Sequence, residues 1–464
     1  MDGAYDRDSI AEARVSLRCG DEMVDEYFRL SSERTTIRTE VVAGVTTFLT
    51  MAYIIFVNPD ILSAAGMDKQ ALVVVTCIAS AITTAAMGLV GRAPIAMAPG
   101  MGLNAFLAYS LVKAGQITWE TALGVVFLSG LLGFVLTLLG LRKRLVEAIP
   151  VSLVAAIAVG IGLFITFIGL VNMGVVVKNA ATLVSAGPMT ATVAFGLAGL
   201  LMMAFLEIRR VKGALIIGIA FSTLLAVIFG YVEKPVSLVS FNFDIRAVAL
   251  RLDILGAFQW GLFGSVFTLM FMDMFDGVGT LVACCHEAGM VDENGKIKGL
   301  GRLLAIDTAA SMVGAVLGTS NVTAYIESAA GIEQGGRTGL TALVTALCFV
   351  LALLVVPVVG IVPPYATAPA LVMVGLFMMK EIKRIDFGNP EEAMPSFIII
   401  VMIALSYSIS TGLAFGFISF VLIKLVAGKV RDVKPTMWVI AILCVMFLTL
   451  DELSAFIQRL RALV

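Results

Sequence analysis

Stretches of about twenty apolar residues recur along this chain with little charge inside them, and that pattern confines the fold more tightly than any motif. A helix needs about 20 residues to cross a ~30 Å hydrocarbon core, and inside it every backbone polar group must be satisfied by the chain itself. Runs of spanning or nearly spanning length lie near 41–57, 71–90, 93–113, 121–140, 148–170, 190–207, 213–231, 258–283, 302–317, 318–335, 338–360, 364–380, 395–409 and 411–427. The composition agrees: only 14% of residues are charged, against about 25% in soluble domains. These runs predict an all-α polytopic membrane protein with fourteen transmembrane segments. A net charge of −1 offers no basic face for nucleic acid. The six cysteines lack the spacing of a disulfide framework and read as packing residues. The first 40 residues mix charge signs without an apolar core, which argues against a cleavable signal peptide.

Lys and Arg set the expected orientation, because cytoplasmic loops hold the excess. With the amino terminus inside, the cytoplasmic connections carry 21 of them and the outer connections six, namely Lys69, Lys113, Lys178, Lys234, Arg246 and Arg251. Both termini are thus expected in the cytoplasm of a cell whose plasma or inner membrane holds the chain. After Pro435, "TMWVIAILCVMFLTL" has about 15 residues, or ~22 Å as a helix, and reads as re-entrant or interfacial, with a fifteenth span as the lesser alternative.

Two segments break the pattern. Segment 3, "APIAMAPGMGLNAFLAYSLV", is interrupted by Pro94, Pro99, Gly100 and Gly102; segment 10, "LGTSNVTAYIESAAGIEQGG", clusters polar residues before Ala324. Each reads as part extended strand, part half-helix, with Gly100 and Gly102 at one half-helix start and Ser320 and Asn321 at the other. Irregular backbone at membrane depth is tolerated only where it is buried in protein or lines a cavity. The interval of seven between segments suggests two repeats of seven, and an odd number of spans per repeat forces them into opposite orientations. The chain then divides into a cytoplasmic amino-terminal segment (1–40), a first repeat (41–231), an outer loop (232–257), a second repeat (258–427) and a cytoplasmic or interfacial end (428–464). Paired interrupted segments at matching positions point to a transporter site at the repeat interface, with half-helix amino termini aimed at it. Glu327 falls in that site.

The stretches "RTTIRTEVVAGVTTFLTMAYIIFVNPDIL" (35–62), "APGMGLNAFLAY" (98–109), "FMDMFDGVGTL" (271–281) and "GTSNVTAYIESAAGIEQGGRTGL" (318–340) resemble the signatures of the azaguanine-type hypoxanthine/guanine/adenine permeases, nucleobase transporters of the uracil-permease fold. The resemblance runs from about residue 27 to 427. It implies seven plus seven inverted segments, a core domain (1–4 and 8–11) and a gate domain (5–7 and 12–14), with the extended parts of segments 3 and 10 paired at mid-membrane. It further implies proton-coupled import of purine bases, no cofactor beyond the proton gradient, and a homodimer.

Carried over by motif, the substrate site takes Asn104, Asp273, Glu327, Ser328, Phe271 and Tyr325, and proton coupling takes Asp273 or Asp276. Asp276 alternatively caps the backbone around Gly277 and Gly279. The chemistry suits a purine: guanine's N1–H and amino group form a donor pair that a carboxylate accepts bidentately, and aromatic rings stack on bases. Phe275 and Phe106 are further stacking candidates. A charge at the bilayer centre costs ~2.5 kcal/mol or more, so an acid there is functional by default. Asp307, five residues from Arg302, reads as interfacial, and Glu333 with Arg337 as a membrane-edge pair. "CCHE" (284–287) has adjacent cysteines in place of spaced pairs, against a metal site. An anion carrier of the same fold would want positive or neutral groups where these acids lie. An intramembrane aspartyl enzyme would explain neither repeat nor breaks, so the chain is expected not to be an enzyme.

Overall fold

The computed structural model describes residues 25–140, 149–232, 239, 243–258, 262–291 and 297–461. Residues 1–24 of the amino-terminal segment lie outside the described residues, as do Arg142, Lys143, Arg144, Lys234 and Lys296 from the charge count. Ten helices among the described residues are long and apolar enough to cross a membrane. They correspond to segments 1 (Ile37–Ser63), 2 (Lys69–Gly91), 4 (Trp119–Leu138), 5 (Val151–Met173), 6 (Ala191–Ile208), 8 (Phe263–Glu287), 9 (Leu300–Leu317), 11 (Gly339–Gly360), 12 (Pro364–Arg384) and 14 (Ile409–Val426). Segments 7 and 13 are shorter helices, Ala214–Ile228 of 15 residues and Pro390–Ser406 of 17.

Helix starts are marked where the sequence supplies a short polar side chain. Thr36, Asp68, Thr118, Thr190 and Ser408 each accept a backbone N–H of the first turn, the ordinary N-cap role of such residues. Segment 1 is two helices, Ile37–Met51 and Ile54–Ser63. Pro59 has no N–H to offer the Ile55 carbonyl, and the chain tightens at Ala52 and Tyr53 through Ile55 N–H to Ala52 O (3.1 Å) and Phe56 N–H to Tyr53 O (3.0 Å).

Among the described residues, four short strands form two antiparallel pairs, β1 (Met97–Pro99) with β4 (Val322–Ala324) and β2 (Val176–Asn179) with β3 (Leu183–Ala186). β1 and β4 are the extended parts of segments 3 and 10, in the register Met97 to Ala324, Ala98 to Thr323 and Pro99 to Val322. Every residue of both strands is buried, so each backbone group needs a partner. Gly100 N–H extends the ladder to Asn321 O and Tyr325 N–H to Ala96 O, both at 3.0 Å. On the outer edge of β1, Thr84 exchanges bonds with Met97, accepting its N–H at 2.9 Å and donating to its carbonyl at 3.0 Å. The β2–β3 hairpin follows segment 5 and had no counterpart in the hydropathy reading.

Beyond the strands the two segments differ. Segment 3 continues as Met101–Ala105 and then as a π-helix, Phe106–Ala114. In segment 10 the helix begins at Ser328, with Glu327 at its N-cap, and not near Asn321; Ser320 and Asn321 precede the strand because the buried ladder keeps the chain extended through Ala324. The carboxy-terminal helix starts at Pro435. It runs Pro435–Arg461, 27 residues, and packs on segment 14.

The helices pack in two groups. Segment 12 lies on segments 5 and 6, and segment 13 on 5 and 14; segment 9 lies on segment 4, and segment 11 on 1 and 2.

Candidate functional site

Between these groups lies a cavity of about 370 Å³, within the ~300–1,000 Å³ of small-molecule sites. Its deep wall is polar and comes mainly from the irregular elements, with Tyr53 from the turn of segment 1, Gly100 and Gly102 from segment 3, and Tyr325 and Glu327 between β4 and its helix, while Asp276 comes from the continuous helix of segment 8. The facing wall is apolar, with Ile157 and Ile161 of segment 5 and Val374 of segment 12; Glu381 and Arg384 line it at the end of segment 12.

Two polar groups of the deep wall, Glu327 and Tyr325, are held by neighbours. Glu327 Oε1 accepts the Tyr53 hydroxyl at 2.6 Å. The Tyr325 hydroxyl donates to Pro99 O at 2.5 Å, tying segment 10 to the end of β1. Asp276 lines the cavity together with Phe275. Two carboxylates, aromatic rings and an apolar wall together can accept N–H donors from a flat, uncharged ligand and sandwich its faces.

Other expected site residues sit outside the cavity lining. Asp273, three residues before Asp276, is 3% exposed and accepts the Ser311 hydroxyl of segment 9 at 2.8 Å; that hydroxyl also lies 3.2 Å from Val322 O. Asp273 therefore ties segment 8 to segment 9 and β4. Asn104 is buried in an amide network: its Nδ2 donates to Asn58 Oδ1 at 2.6 Å, its Oδ1 accepts from Ser320, and Asn58 donates to Thr76 at 2.7 Å. Ser328 Oγ accepts Ala96 N–H at 3.0 Å and donates to Tyr325 O at 2.6 Å. Phe271 packs between Phe267 and Phe275, at centroid distances of 4.4 and 5.9 Å. Asn321 Nδ2 reaches Ser129 Oγ at 3.4 Å.

Two sequence readings are corrected. Asp307 is not interfacial: it is fully buried and accepts the Thr323 hydroxyl at 3.0 Å and Ala324 N–H at 3.2 Å. Segment 9 begins at Leu300, so Asp307 lies seven residues, ~10 Å, along the helix. Gly277 makes room for it, since a Cβ there would stand 2.1 Å from Asp307 Oδ2. Glu333 pairs with Lys212 at 3.0 Å, while the Arg337 guanidinium donates to Ile332 O and Gly336 O.

Sequence reasoning missed Tyr53 and Glu40. A buried tyrosine hydroxyl needs a partner, so a tyrosine inside the run "FLTMAYIIF" was itself a signal. Glu40 is fully buried and accepts from Arg337 N–H, from the N–H and hydroxyl of Thr338 and from those of Thr341. It joins the start of segment 1 to that of segment 11.

Comparison with known proteins bears on this arrangement. Residues 38–415 match the Permease family, Xan_ur_permease. The chain is similar to the adenine permease AdeP of Escherichia coli (strain K12), 42% identical over 92% of this chain and 96% of that one. It is also similar to the guanine/hypoxanthine permease PbuO of Bacillus subtilis (strain 168), 41% identical over 90% and 98%. In fold it resembles the transmembrane domain of a cyanobacterium bicarbonate transporter, BicA, with a TM-score of 0.61 at 16% identity over 80% of this chain and 96% of that one. With its spanning helices, interrupted segments and family-wide match, this multi-pass integral membrane protein belongs to the Permease family, a family of transporters and not of enzymes.

Proposed function

We propose that the chain is a secondary transporter that imports purine bases by proton-coupled alternating access. The observation that carries the reading is the cavity in which Asp276 and Glu327 face the same ~370 Å³ space beside Tyr325 and Phe275. A guanine or hypoxanthine edge supplies N–H donors for carboxylate oxygens, and charge-assisted bonds of this kind are roughly twice as strong as neutral ones. Relatives named as adenine and guanine/hypoxanthine permeases over nine tenths of the chain support the same substrate class. A bicarbonate-like anion suits the cavity poorly, because its deep wall carries acids.

In this reading Glu327 holds the base and Asp276 exchanges the proton. Asp273, bonded to Ser311 away from the cavity, serves the framework. Two carboxylates in one cavity hold a shared proton at lower cost than two charges, and a proton bound with the base and released inside couples the two fluxes. Repeats 41–231 and 258–427, with segments 1–4 and 8–11 as core and 5–7 and 12–14 as gate, account for the packing groups and for paired broken segments at the site. Thr84 of segment 2 and Asp307 of segment 9 satisfy opposite edges of the β1–β4 ladder, as repeat-related segments would. Glu381 and Arg384 mark the cytoplasmic mouth under the Lys/Arg orientation. On the other side, Asp60 pairs with Lys69 and accepts from Thr367 of segment 12, and Lys69 donates to Val362 O at 3.2 Å; these contacts close the outer face.

The test is uptake of labelled hypoxanthine, guanine and adenine into cells expressing the chain, with and without a protonophore. Saturable uptake abolished by the protonophore is expected. Absence of uptake for every purine, or competition by uracil as strong as by hypoxanthine, overturns the substrate assignment; uptake insensitive to the protonophore overturns the coupling.

A further inference from the structure

Tyr53 occupies the turn between the two helices of segment 1 and is 1% exposed. Its hydroxyl is 2.6 Å from Glu327 Oε1, and no other side-chain donor is bonded to that carboxylate among the described residues. The same stretch of segment 1 also approaches the Glu327 backbone, with Thr50 Oγ1 3.4 Å from its carbonyl. We infer that Tyr53 is a positioning residue for Glu327, fixing the plane of the carboxylate so that both oxygens can meet a paired N–H edge of the bound base. The inference rests on the purine-transport reading.

The physical case is one of rotational freedom. The terminal torsion of a glutamate is broad, and a carboxylate on a cavity wall with no side-chain donor would turn among many orientations. Bidentate recognition needs one of them. Tyrosine has two side-chain torsions and loses little entropy when it holds a contact; here its ring is already packed. An ionised carboxylate has about four acceptor positions, two on each oxygen, so the Tyr53 hydroxyl leaves the second oxygen and the other lone pair of the first for a ligand. The consequence is selective. Guanine presents two parallel donors, N1–H and the amino group, and depends on the plane of the carboxylate. Hypoxanthine presents N1–H alone on that edge and tolerates a turned carboxylate.

The experiment measures binding and uptake of guanine and hypoxanthine by the purified full chain, as wild type, Tyr53→Phe, Glu327→Asp and the double variant. Phenylalanine keeps the ring, so an unchanged melting temperature is expected for Tyr53→Phe. Guanine affinity should fall about tenfold, the scale of a hydrogen bond to a charged group, and hypoxanthine affinity about two- to threefold, with maximal uptake rates retained. In Glu327→Asp the shorter carboxylate withdraws from the hydroxyl, so adding Tyr53→Phe should cost nothing further; such non-additivity marks residues that act through one another. Equal losses for the two bases in Tyr53→Phe, or no loss, would overturn the positioning role. A wild type that binds neither base would instead remove the purine reading itself, before any variant is compared.

Discussion

Asp307→Ala tests whether the β1–β4 ladder depends on side chains outside the strands. The substitution removes the acceptor for Ala324 N–H, at 3.2 Å, and for the Thr323 hydroxyl, at 3.0 Å. A buried donor left without an acceptor costs about 1–3 kcal/mol. The threonine hydroxyl can turn toward another acceptor and forfeits about 1 kcal/mol, the worth of an ordinary hydrogen bond. The sum is roughly 2–4 kcal/mol, or a shift of about 30- to 1,000-fold in the equilibrium between an intact and an opened strand. Tyr325 and Glu327 follow directly on β4, so base binding should weaken together with thermal stability in detergent. Asp307→Asn retains one acceptor oxygen of the same reach and should lose less than a third as much. Wild-type melting and binding in the alanine variant would refute the argument. Equal damage from alanine and asparagine would refute it too, because charge and not hydrogen-bond geometry would then be what matters.

Four further outcomes are expected. Asp276→Asn should bind hypoxanthine within about fivefold of wild type yet fail to accumulate it against a gradient in proteoliposomes driven by a pH difference; retained accumulation would move the proton elsewhere. Gly100→Leu should insert normally but lose binding, as a Cβ at Gly100 already stands 2.9 Å from the Leu103 side chain and 3.3 Å from that of Thr323; unchanged uptake would show that the site lies elsewhere. Asp60→Asn weakens the contact with Lys69, so a cysteine at Ser63, on the cavity of the proposed outer side, should react faster with an impermeant maleimide; an unchanged rate would count against an outer closure. At the start of segment 13, Lys424 and Lys429 donate to the Glu391 carboxylate at 2.6 and 2.5 Å. Glu391→Gln keeps the shape but gives up the charge, so a small loss of melting temperature at pH 7 that shrinks with added salt is expected; an unchanged melting temperature would show that the pairs contribute nothing.

How much of this was legible in the sequence follows from the range of each interaction. The spans and their caps are local: hydropathy gives the length, and Thr36, Asp68 and Thr118 mark where helices start. The breaks were legible as well, since prolines and glycines in segment 3 and polar residues in segment 10 cannot continue an apolar helix. Where the half-helix of segment 10 begins was not, because the extended chain through Ala324 is fixed by β1, more than two hundred residues away. Asp307 was misread for a related reason. Distance from Arg302 along the chain measures depth only along one helix, whereas the partners of Asp307 belong to another element. Glu40, Tyr53 and Asp273 likewise have partners on other segments that hydropathy does not connect. Residues read as ligand contacts and found bonded to the framework, Asn104 and Ser328 among them, are polar for a reason the sequence leaves open: an interrupted backbone needs partners as much as a substrate does.

That double demand bears on how such a site can move. The β1–β4 ladder is closed on one edge by Thr84 and on the other by Asp307, and it is pinned at one end by Gly100 N–H to Asn321 O and at the other by Tyr325 N–H to Ala96 O. Few of its polar groups are left to exchange partners, so opening it would expose several buried donors at once, each at about 1–3 kcal/mol. A transport cycle that broke the ladder at every turnover would carry that cost at every turnover. Alternating access by the proposed gate therefore has to leave the sheet intact and draw its motion from contacts that can be exchanged singly. The outer contacts of Asp60 with Thr367 and of Lys69 with Val362 O are of that kind, as is the apolar face that Ile161 and Val374 turn to the cavity. On this argument the acids and the sheet form one rigid reader of the base, and selectivity and gating should separate by mutation: changes at Tyr53 or Glu327 should alter which base binds, and changes at Asp60 or Lys69 should alter which side it enters from.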